Sequence, residues 1–267
     1  MVLNNLRLRF KRKKNQYKRV LVIAHRGFSG IAPENTLIAF KKAIESGADM
    51  IEFDVSLSKD GIPVVIHDKT VNRTTNGKGN VQDFTLEELK QFDAGSWYKK
   101  EFKDEKIPTL EEVIQLTKGK IMLNIEIKKY SVKRSIKVDG IEHKIVKLLE
   151  KYDIVNDVLI SSFSKLAIQR IKDFNPNISI AFLYRFGINP RIIKKFDKLA
   201  LYSFNQSKRA FSKKALNELQ EQELKLNLYT VNQKREMKKF IKLGVNGIIT
   251  NYPNRLIEVI DSFENNE

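Results

Sequence analysis

From Val20 onward the chain alternates short apolar runs with longer stretches whose apolar residues recur at three- and four-residue intervals. The first kind reads as strand and the second as amphipathic helix, because side chains return to one face every two residues on a strand and about every 3.6 on a helix. Strand candidates fall at 20–25, 50–55, 120–128, 158–163, 179–184, 200–204, 226–231 and 247–250. Helices fit NTLIAFKKAIESG, TLEEVIQLTKG, IEHKIVKLLEKY, SKLAIQRIKDF, PRIIKKF, KKALNELQEQ, QKREMKKFIKLG and NRLIEVIDSF. The strand runs are apolar on nearly every residue, as expected where helices cover both faces of a parallel sheet. This order predicts an α/β protein built as a closed (β/α)8 TIM barrel, in preference to an open doubly wound sheet. The 267 residues match the roughly 250 that one such domain needs.

Thr85 with Glu88 and Thr109 with Glu112 have capping-box spacing, so helices should start at both places. Residues 69–108 separate the second strand from its helix and contain RTTNGKGNV. That is too long for an ordinary connection, so they are expected to form a small inserted loop-and-helix subdomain above the barrel. The division expected is a basic arm at 1–19 and one barrel domain at 20–267.

Several strand ends break the apolar pattern. In MIEFDV, Glu52 and Asp54 share one face. Carboxylates in an apolar strand need a metal, a cation or dense hydrogen bonding, although the pair alone would also fit an ion pair at a barrel rim. Asp60-Gly61 follows as a two-residue hairpin signal flanked by Lys59 and Ile62. That register puts His67 directly across from Asp54, on the same face and about 5 Å away. In NIEIKK, Asn124, Glu126 and Lys128 alternate with Ile125 and Ile127 and point one way. A third carboxylate completes an oxygen-rich site suited to one divalent cation, Mg²⁺ or Ca²⁺. Lys128 would supply charge for an anionic group beside it. His25-Arg26-Gly27 closes the first strand, on the barrel face where catalytic groups gather. Arg26 offers a planar fork for phosphate. His143 lies on an ordinary helix and receives no role.

The net charge of +17 changes the picture at one end. Eight basic residues (Arg7, Arg9, Lys11, Arg12, Lys13, Lys14, Lys18 and Arg19) precede Val20 with no acid among them. The segment LRLRFKRKK alternates apolar and basic residues and suits peripheral contact with an anionic membrane, or a solvated arm. A basic chain also admits a nucleic-acid or non-catalytic phosphate-binding module. The charge is dispersed, however, and no nucleic-acid motif occurs, so no nucleic-acid partner is expected. The absence of cysteine excludes a disulfide framework and a thiolate metal site. No run approaches the roughly 18 apolar residues of a membrane span. The opening residues are basic rather than apolar, so no secretory signal is expected and a cytoplasmic location is the default. Oligomeric state is left open by the pattern.

The run HRG…APENTLIAFKKAIESGADMIEFDVSLSKDGIPVVIHD resembles the signature of the glycerophosphodiester phosphodiesterase family. The resemblance continues through RTTNGKGNVQDFTLEELKQFDAGSW, IPTLEEV, NIEIK, SSF, YTVN and GVNGIITNYP, roughly residues 20 to 255. It implies that Glu52, Asp54 and Glu126 bind a divalent cation and that His25 and His67 are the acid–base pair, in either order. It further implies that Arg26 and Lys128 bind phosphate, and that Glu34 and Asn35 support the site or cap a helix. The implied reaction is metal-dependent hydrolysis of a small-molecule glycerophosphodiester to an alcohol and glycerol 3-phosphate. In many members the glycerol hydroxyl is the attacking group. A related barrel enzyme acting on lipids, a lysophospholipase D or a phospholipase C-like enzyme, is the alternative. Tyr229 stands where the family commonly has tryptophan, which alters the expected aromatic contact with substrate.

Overall fold

The computed structural model describes residues 20–135 and 138–264. The basic arm expected at 1–19 lies outside them. Among the described residues nine strands form in chain order: β1 (Leu21–His25), β2 (Met50–Leu57), β3 (Pro63–Val65), β4 (Met122–Ile127), β5 (Val158–Ser162), β6 (Ser179–Tyr184), β7 (Ser203–Ser207), β8 (Lys225–Tyr229) and β9 (Gly247–Thr250). The helices are α1 (Leu37–Glu45), α2 (Leu86–Gln91), α3 (Leu110–Thr117), α4 (Ile141–Lys151), α5 (Lys165–Phe174), α6 (Pro190–Lys194), α7 (Lys213–Glu221), α8 (Lys234–Leu243) and α9 (Pro253–Glu264). All strands but β3 run parallel, and the pairing of β1 with both β2 and β9 closes them into an eight-stranded TIM barrel.

Alternation along each barrel strand sorts side chains into two cores. Outward residues such as Val22, Ile51, Phe53 and Ile125 pack against the helices. Inward residues such as Leu21, Ile23, Met50, Met122 and Leu159 fill the barrel floor. The helices begin where the sequence provides a cap. Thr36 caps α1, and both expected capping boxes are present, Thr85 with Glu88 on α2 and Thr109 with Glu112 on α3. Between β3 and α3 the chain builds a third apolar cluster of Val64, Ile66, Val71, Val81, Leu89, Ala94 and Ile107. Among the described residues no helix is long and apolar enough to cross a membrane.

Two expectations about register need correction. The hairpin turn spans three residues, not two. Gly61 N donates to Ser58 O and Ser58 N to Ile62 O, both at 3.0 Å, with Gly61 at φ +76°. A turn followed by a left-handed glycine is the usual three-residue hairpin closure. Val55 therefore pairs with Val65 and Leu57 with Pro63. Ile66, not His67, lies opposite Asp54, its N donating to Asp54 O at 3.0 Å. The strand expected at 200–204 forms three residues later. Ala200 turns through φ +47°, and the ladder is built from the more polar SFNQS, whose Asn205 and Gln206 are buried.

Gly61 should be replaceable by alanine only at a cost, because L residues pay about 1 kcal/mol or more in the left-handed region. An added Cβ meets only the end of the Lys144 side chain, so backbone strain is the main term. Denaturant unfolding of Gly61→Ala should show that loss, and an unchanged midpoint would refute the turn assignment.

Candidate active site

Strand register assembles the site. In a parallel ladder paired residues share a face, and the pairs here are His25 with Glu52 and Asp54 with Glu126. These inward positions lie level with the C-terminal ends of β1 and β4, the end of such barrels that carries chemistry, while β2 runs on beyond Asp54 to Leu57. Glu52, Asp54 and Glu126 are all buried, and each offers a carboxylate oxygen within 4.8 Å of the others. Burial disfavours their charge, and each repels the rest. The Glu52 carboxyl is consequently held well above the ordinary range by burial, then by Asp54 and Glu126. Glu126 is pushed up to about 7 by burial and Asp54. Asp54 goes the other way. Lys128 and Arg26 outweigh its burial and keep it ionised below the ordinary carboxylate range.

Lys128 Nζ donates to Glu126 Oε1 at 2.8 Å and to Asp54 Oδ1 at 3.1 Å. Arg26 Nε lies 3.4 Å from Asp54 Oδ2, while its Nη1 donates to Glu34 Oε1 at 2.7 Å. Arg26 adopts φ +56°, uncommon for a non-glycine residue, and its backbone N donates to Glu52 Oε2 at 3.2 Å. Gly27 behind it, at φ +82°, could not carry a Cβ, which would sit 2.7 Å from the Ala39 carbonyl carbon. Asn35 Nδ2 donates to Asp54 Oδ2 at 2.9 Å. Glu34 and Asn35 thus support Arg26 and Asp54, and helix capping falls to Thr36. The chemistry of the donor set suits a hard dication: three buried oxygen ligands with excess negative charge and no sulfur.

The two histidines flank this cluster by different routes. His25 extends from β1 with Nε2 3.9 Å from Glu52 Oε2, and its Nδ1 donates to the Asn251 side-chain oxygen at 2.7 Å. That bond occupies Nδ1 and leaves Nε2 facing Glu52. Burial and Arg26 lower the His25 pKa to about 4. His67 lies beyond the end of β3, where the chain has left the ladder, so it reaches the cleft despite the shifted register. Its Nδ1 meets Asp68 Oδ1 at 2.6 Å, and Asp68 accepts in turn from Arg73 at 2.6 Å. Arg73 also grips both oxygens of Glu34, at 2.7 and 2.9 Å. Burial lowers the His67 pKa, and Asp54 opposes that shift.

A cleft of about 470 Å³ joins His25, Arg26, Glu52, His67, Glu126 and Lys128. Tyr229 lines the same cleft, its hydroxyl donating to Tyr184 O at 3.2 Å and its ring edge-to-face with Phe163. All eight residues singled out from the sequence therefore border the cleft or, for Asp54, lie in the buried cluster at its edge. Sequence reasoning assigned no role to Asp68, Arg73, Asn251 or Phe163. Each nevertheless stands in a motif that carries the resemblance: IHD, RTT, NYP and SSF.

Comparison with known proteins agrees with this geometry. A family model described as the glycerophosphoryl diester phosphodiesterase family matches residues 25–255. The glycerophosphodiester phosphodiesterase of Caldanaerobacter subterraneus subsp. tengcongensis is 43% identical over 245 residues, 91% of this chain and 98% of its own. That of Bacillus altitudinis is 39% identical over 241 residues, 89% of this chain and 97% of its own. Among solved structures, an Oleispira antarctica phosphodiesterase in complex with the product sn-glycerol-3-phosphate aligns with TM-score 0.84 and 31% identity. It covers 93% of this chain and 100% of that one. With barrel, motif order and coverage in agreement, this chain belongs to the glycerophosphoryl diester phosphodiesterase family.

Proposed function

We propose that this chain hydrolyses water-soluble glycerophosphodiesters to glycerol 3-phosphate and an alcohol. The observation that carries the reading is the buried carboxylate cluster flanked by His25, His67, Arg26 and Lys128 within one cleft. Glu52, Asp54 and Glu126 would hold one Mg²⁺ or Ca²⁺. When bound, such an ion supplies charge to oppose the negative oxygens gathering on phosphorus. Arg26 and Lys128 orient the phosphate and share that charge. One histidine accepts the proton of the attacking hydroxyl, from water or from the neighbouring glycerol carbon, as the new P–O bond forms. The other gives a proton to the departing alcohol oxygen as the old bond breaks, so the pair together conserves protons. Where glycerol attacks, water then opens the cyclic phosphate to glycerol 3-phosphate with the two roles exchanged. Tyr229 forms part of the wall against which the organic part of the substrate rests.

A second reading, a lysolipid as substrate, is favoured by a different observation. Among the described residues the exposed large apolar side chains are Ile31, Ile62, Trp97, Val138 and Phe186; Ile31, Ile62, Val138 and Phe186 lie in loops after β1, β2, β4 and β6, and Trp97 follows α2. Loops after barrel strands lie at the end of the barrel that carries its cleft. We place the enzyme in the cytoplasm, with the basic arm at 1–19 in peripheral contact with anionic lipid.

The test of function is a product assay on glycerophosphocholine, glycerophosphoethanolamine and glycerophosphoglycerol, with and without chelator. Turnover should depend on added divalent cation, and full activity after exhaustive chelation would sink the metal assignment. His25→Ala and His67→Ala should each cost about 10²–10⁴-fold. The variant lacking the acid should recover selectively on a nitrophenyl diester, whose leaving group scarcely needs a proton. If neither recovers, no dedicated acid exists.

Binding of the ion can be read without activity. Thermal unfolding with saturating Mg²⁺ or Ca²⁺ should show stabilisation of roughly 2.7 kcal/mol at a hundred times the dissociation constant. Glu52→Gln should abolish that shift. In metal-free protein the same change should hold or raise the melting temperature, because it removes one repelling carboxylate. A strong loss of metal-free stability would contradict the electrostatic account.

For lipid contact, full-length protein and protein lacking residues 1–18 should be compared on anionic vesicles. Truncation should weaken binding by about 1 kcal/mol per basic residue held near the surface, less at high salt, while turnover of glycerophosphocholine holds. Equal vesicle binding removes the arm from the account, and turnover confined to lysolipid micelles would replace the soluble-diester reading with the lipid one.

A further inference from the structure

The cleft is electrostatically divided. On the arc of β1, β2 and β4, the cations Arg26 and Lys128 are ion-paired to Glu34, Asp54 and Glu126. The opposite arc, from β5 to β8, contributes Phe163, Arg185, Arg209 and Tyr229 to the lining and no carboxylate. Among the described residues neither Arg185 nor Arg209 forms an ion pair, whereas their neighbour Lys208 is bound to Glu236 at 2.6 Å. Two guanidinium groups thus face one cleft with their donors free of any carboxylate.

These arginines are held in place from behind. The Arg185 guanidinium lies over the Phe163 ring, 5.1 Å from its centroid, an arrangement that stiffens the side chain without consuming its in-plane donors. Phe163 is braced edge-to-face by Tyr229. The loops after β6 and β7, which carry Arg185 and Arg209, are clamped together by one buried side chain. Gln206 Nε2 donates to Phe186 O at 2.7 Å and to Ala210 O at 3.1 Å, the carbonyls of the residues following the two arginines. A fully buried amide spent on joining two loops fixes the spacing of the backbone from which the two cations extend.

We infer that Arg185 and Arg209 form an anion subsite opposite the carboxylate cluster, which selects glycerophosphodiesters bearing a second anionic group, phosphate or carboxylate, beyond the reacting phosphate. This rests on the phosphodiesterase reading and adds its substrate class. The chemistry is that of guanidinium with oxyanion, bidentate and charge-assisted, for which an arginine fork is preorganised. A head group of opposite sign suffers the reverse. The quaternary ammonium of glycerophosphocholine would approach two unneutralised cations, with only the outer aromatic walls to favour it. A neutral glycerol head group falls between.

The measurement is kcat/KM with the full chain and saturating divalent cation on three soluble diesters: glycerophosphocholine, glycerophosphoglycerol, and glycerophosphoglycerol carrying a terminal phosphate. The terminal-phosphate substrate should exceed glycerophosphoglycerol by about tenfold or more, a factor that one charge-assisted contact supplies. Glycerophosphocholine should be the poorest. Arg185→Gln and Arg209→Gln should each cut the ratio of terminal-phosphate to neutral substrate by about tenfold. Arg185→Lys should retain part of it, since charge survives while the fork is lost. Raising salt should compress the ratio in the parent enzyme and scarcely change it in the double variant. Glycerophosphoserine, compared with glycerophosphoethanolamine, distinguishes a carboxylate-selective subsite from a phosphate-selective one. A parent ratio of one or below, or a ratio unmoved in the double variant, overturns the subsite while leaving the phosphodiesterase reading intact. Absence of turnover on every diester would overturn both.

Discussion

Negative charge buried at the strand ends of β2 and β4 is the constraint around which this molecule is organised. Three carboxylates whose oxygens lie within 4.8 Å repel one another by roughly 3 kcal/mol per pair at the effective dielectric typical of protein sites. An apolar strand cannot tolerate that alone. The neighbouring elements answer it one by one: Lys128 from the end of β4, Arg26 in a left-handed backbone conformation after β1, and Asn35 from the start of α1. These suffice to keep Asp54 ionised, but Glu52 and Glu126 are left with raised proton affinity. A dication held there would favour the ionised carboxylates, so its binding would be linked to the release of protons.

Much of this was legible from one chain because the signals are local. A glutamate two residues before an aspartate in an apolar strand reports a shared polar face, and NIEIK reports another; periodicity alone places Glu52, Asp54 and Glu126 together once the strands are adjacent. Both capping boxes follow likewise from residues three apart. The hairpin register went astray over one residue, because Asp60-Gly61 suits a two-residue turn as well as the three-residue turn that forms. β7 was misplaced for a related reason. Its inward residues, Asn205 among them, line a barrel interior that has a polar layer, so the apolar run ALYSF just before it looked more strand-like. The links from His67 through Asp68 and Arg73 to Glu34, and from His25 to Asn251, join residues up to 226 positions apart. No periodicity announces such partners.

The barrel separates two tasks by arc. Residues of β1, β2 and β4 gather charge into one dense, nearly balanced network. The strands from β5 to β8 supply aromatic rings and two cleft-lining arginines, Arg185 and Arg209, that among the described residues form no ion pair. A parallel barrel makes this division natural, because each strand end presents its own loop and adjacent strands share a face through their register. Tyr229 belongs to the second arc. Its hydroxyl is satisfied by Tyr184 O within the same wall, so the ring is anchored instead of leaving an unpaired polar group.

The two histidines differ in what positions them. His25 belongs to the barrel itself, and Asn251, which orients it, is tied through its backbone N to Asn232 at 2.9 Å. His67 follows Ile66, and Ile66 is anchored in the small apolar cluster built by the segment between β3 and α3. Its position therefore depends on seven side chains outside the barrel cores and on Tyr130, whose hydroxyl donates to His67 O at 3.1 Å. A small satellite core opens locally at lower cost than a barrel interior. Such a fluctuation would displace His67 while leaving the carboxylate cluster assembled. The Asp68–Arg73–Glu34–Arg26 chain runs between the two parts, linking the satellite to the arginine beside Asp54. Arg73 is half-exposed, so those ion pairs contribute little to stability. Their consequence is geometric: they couple the orientation of His67 to that of the cation lying against the carboxylates.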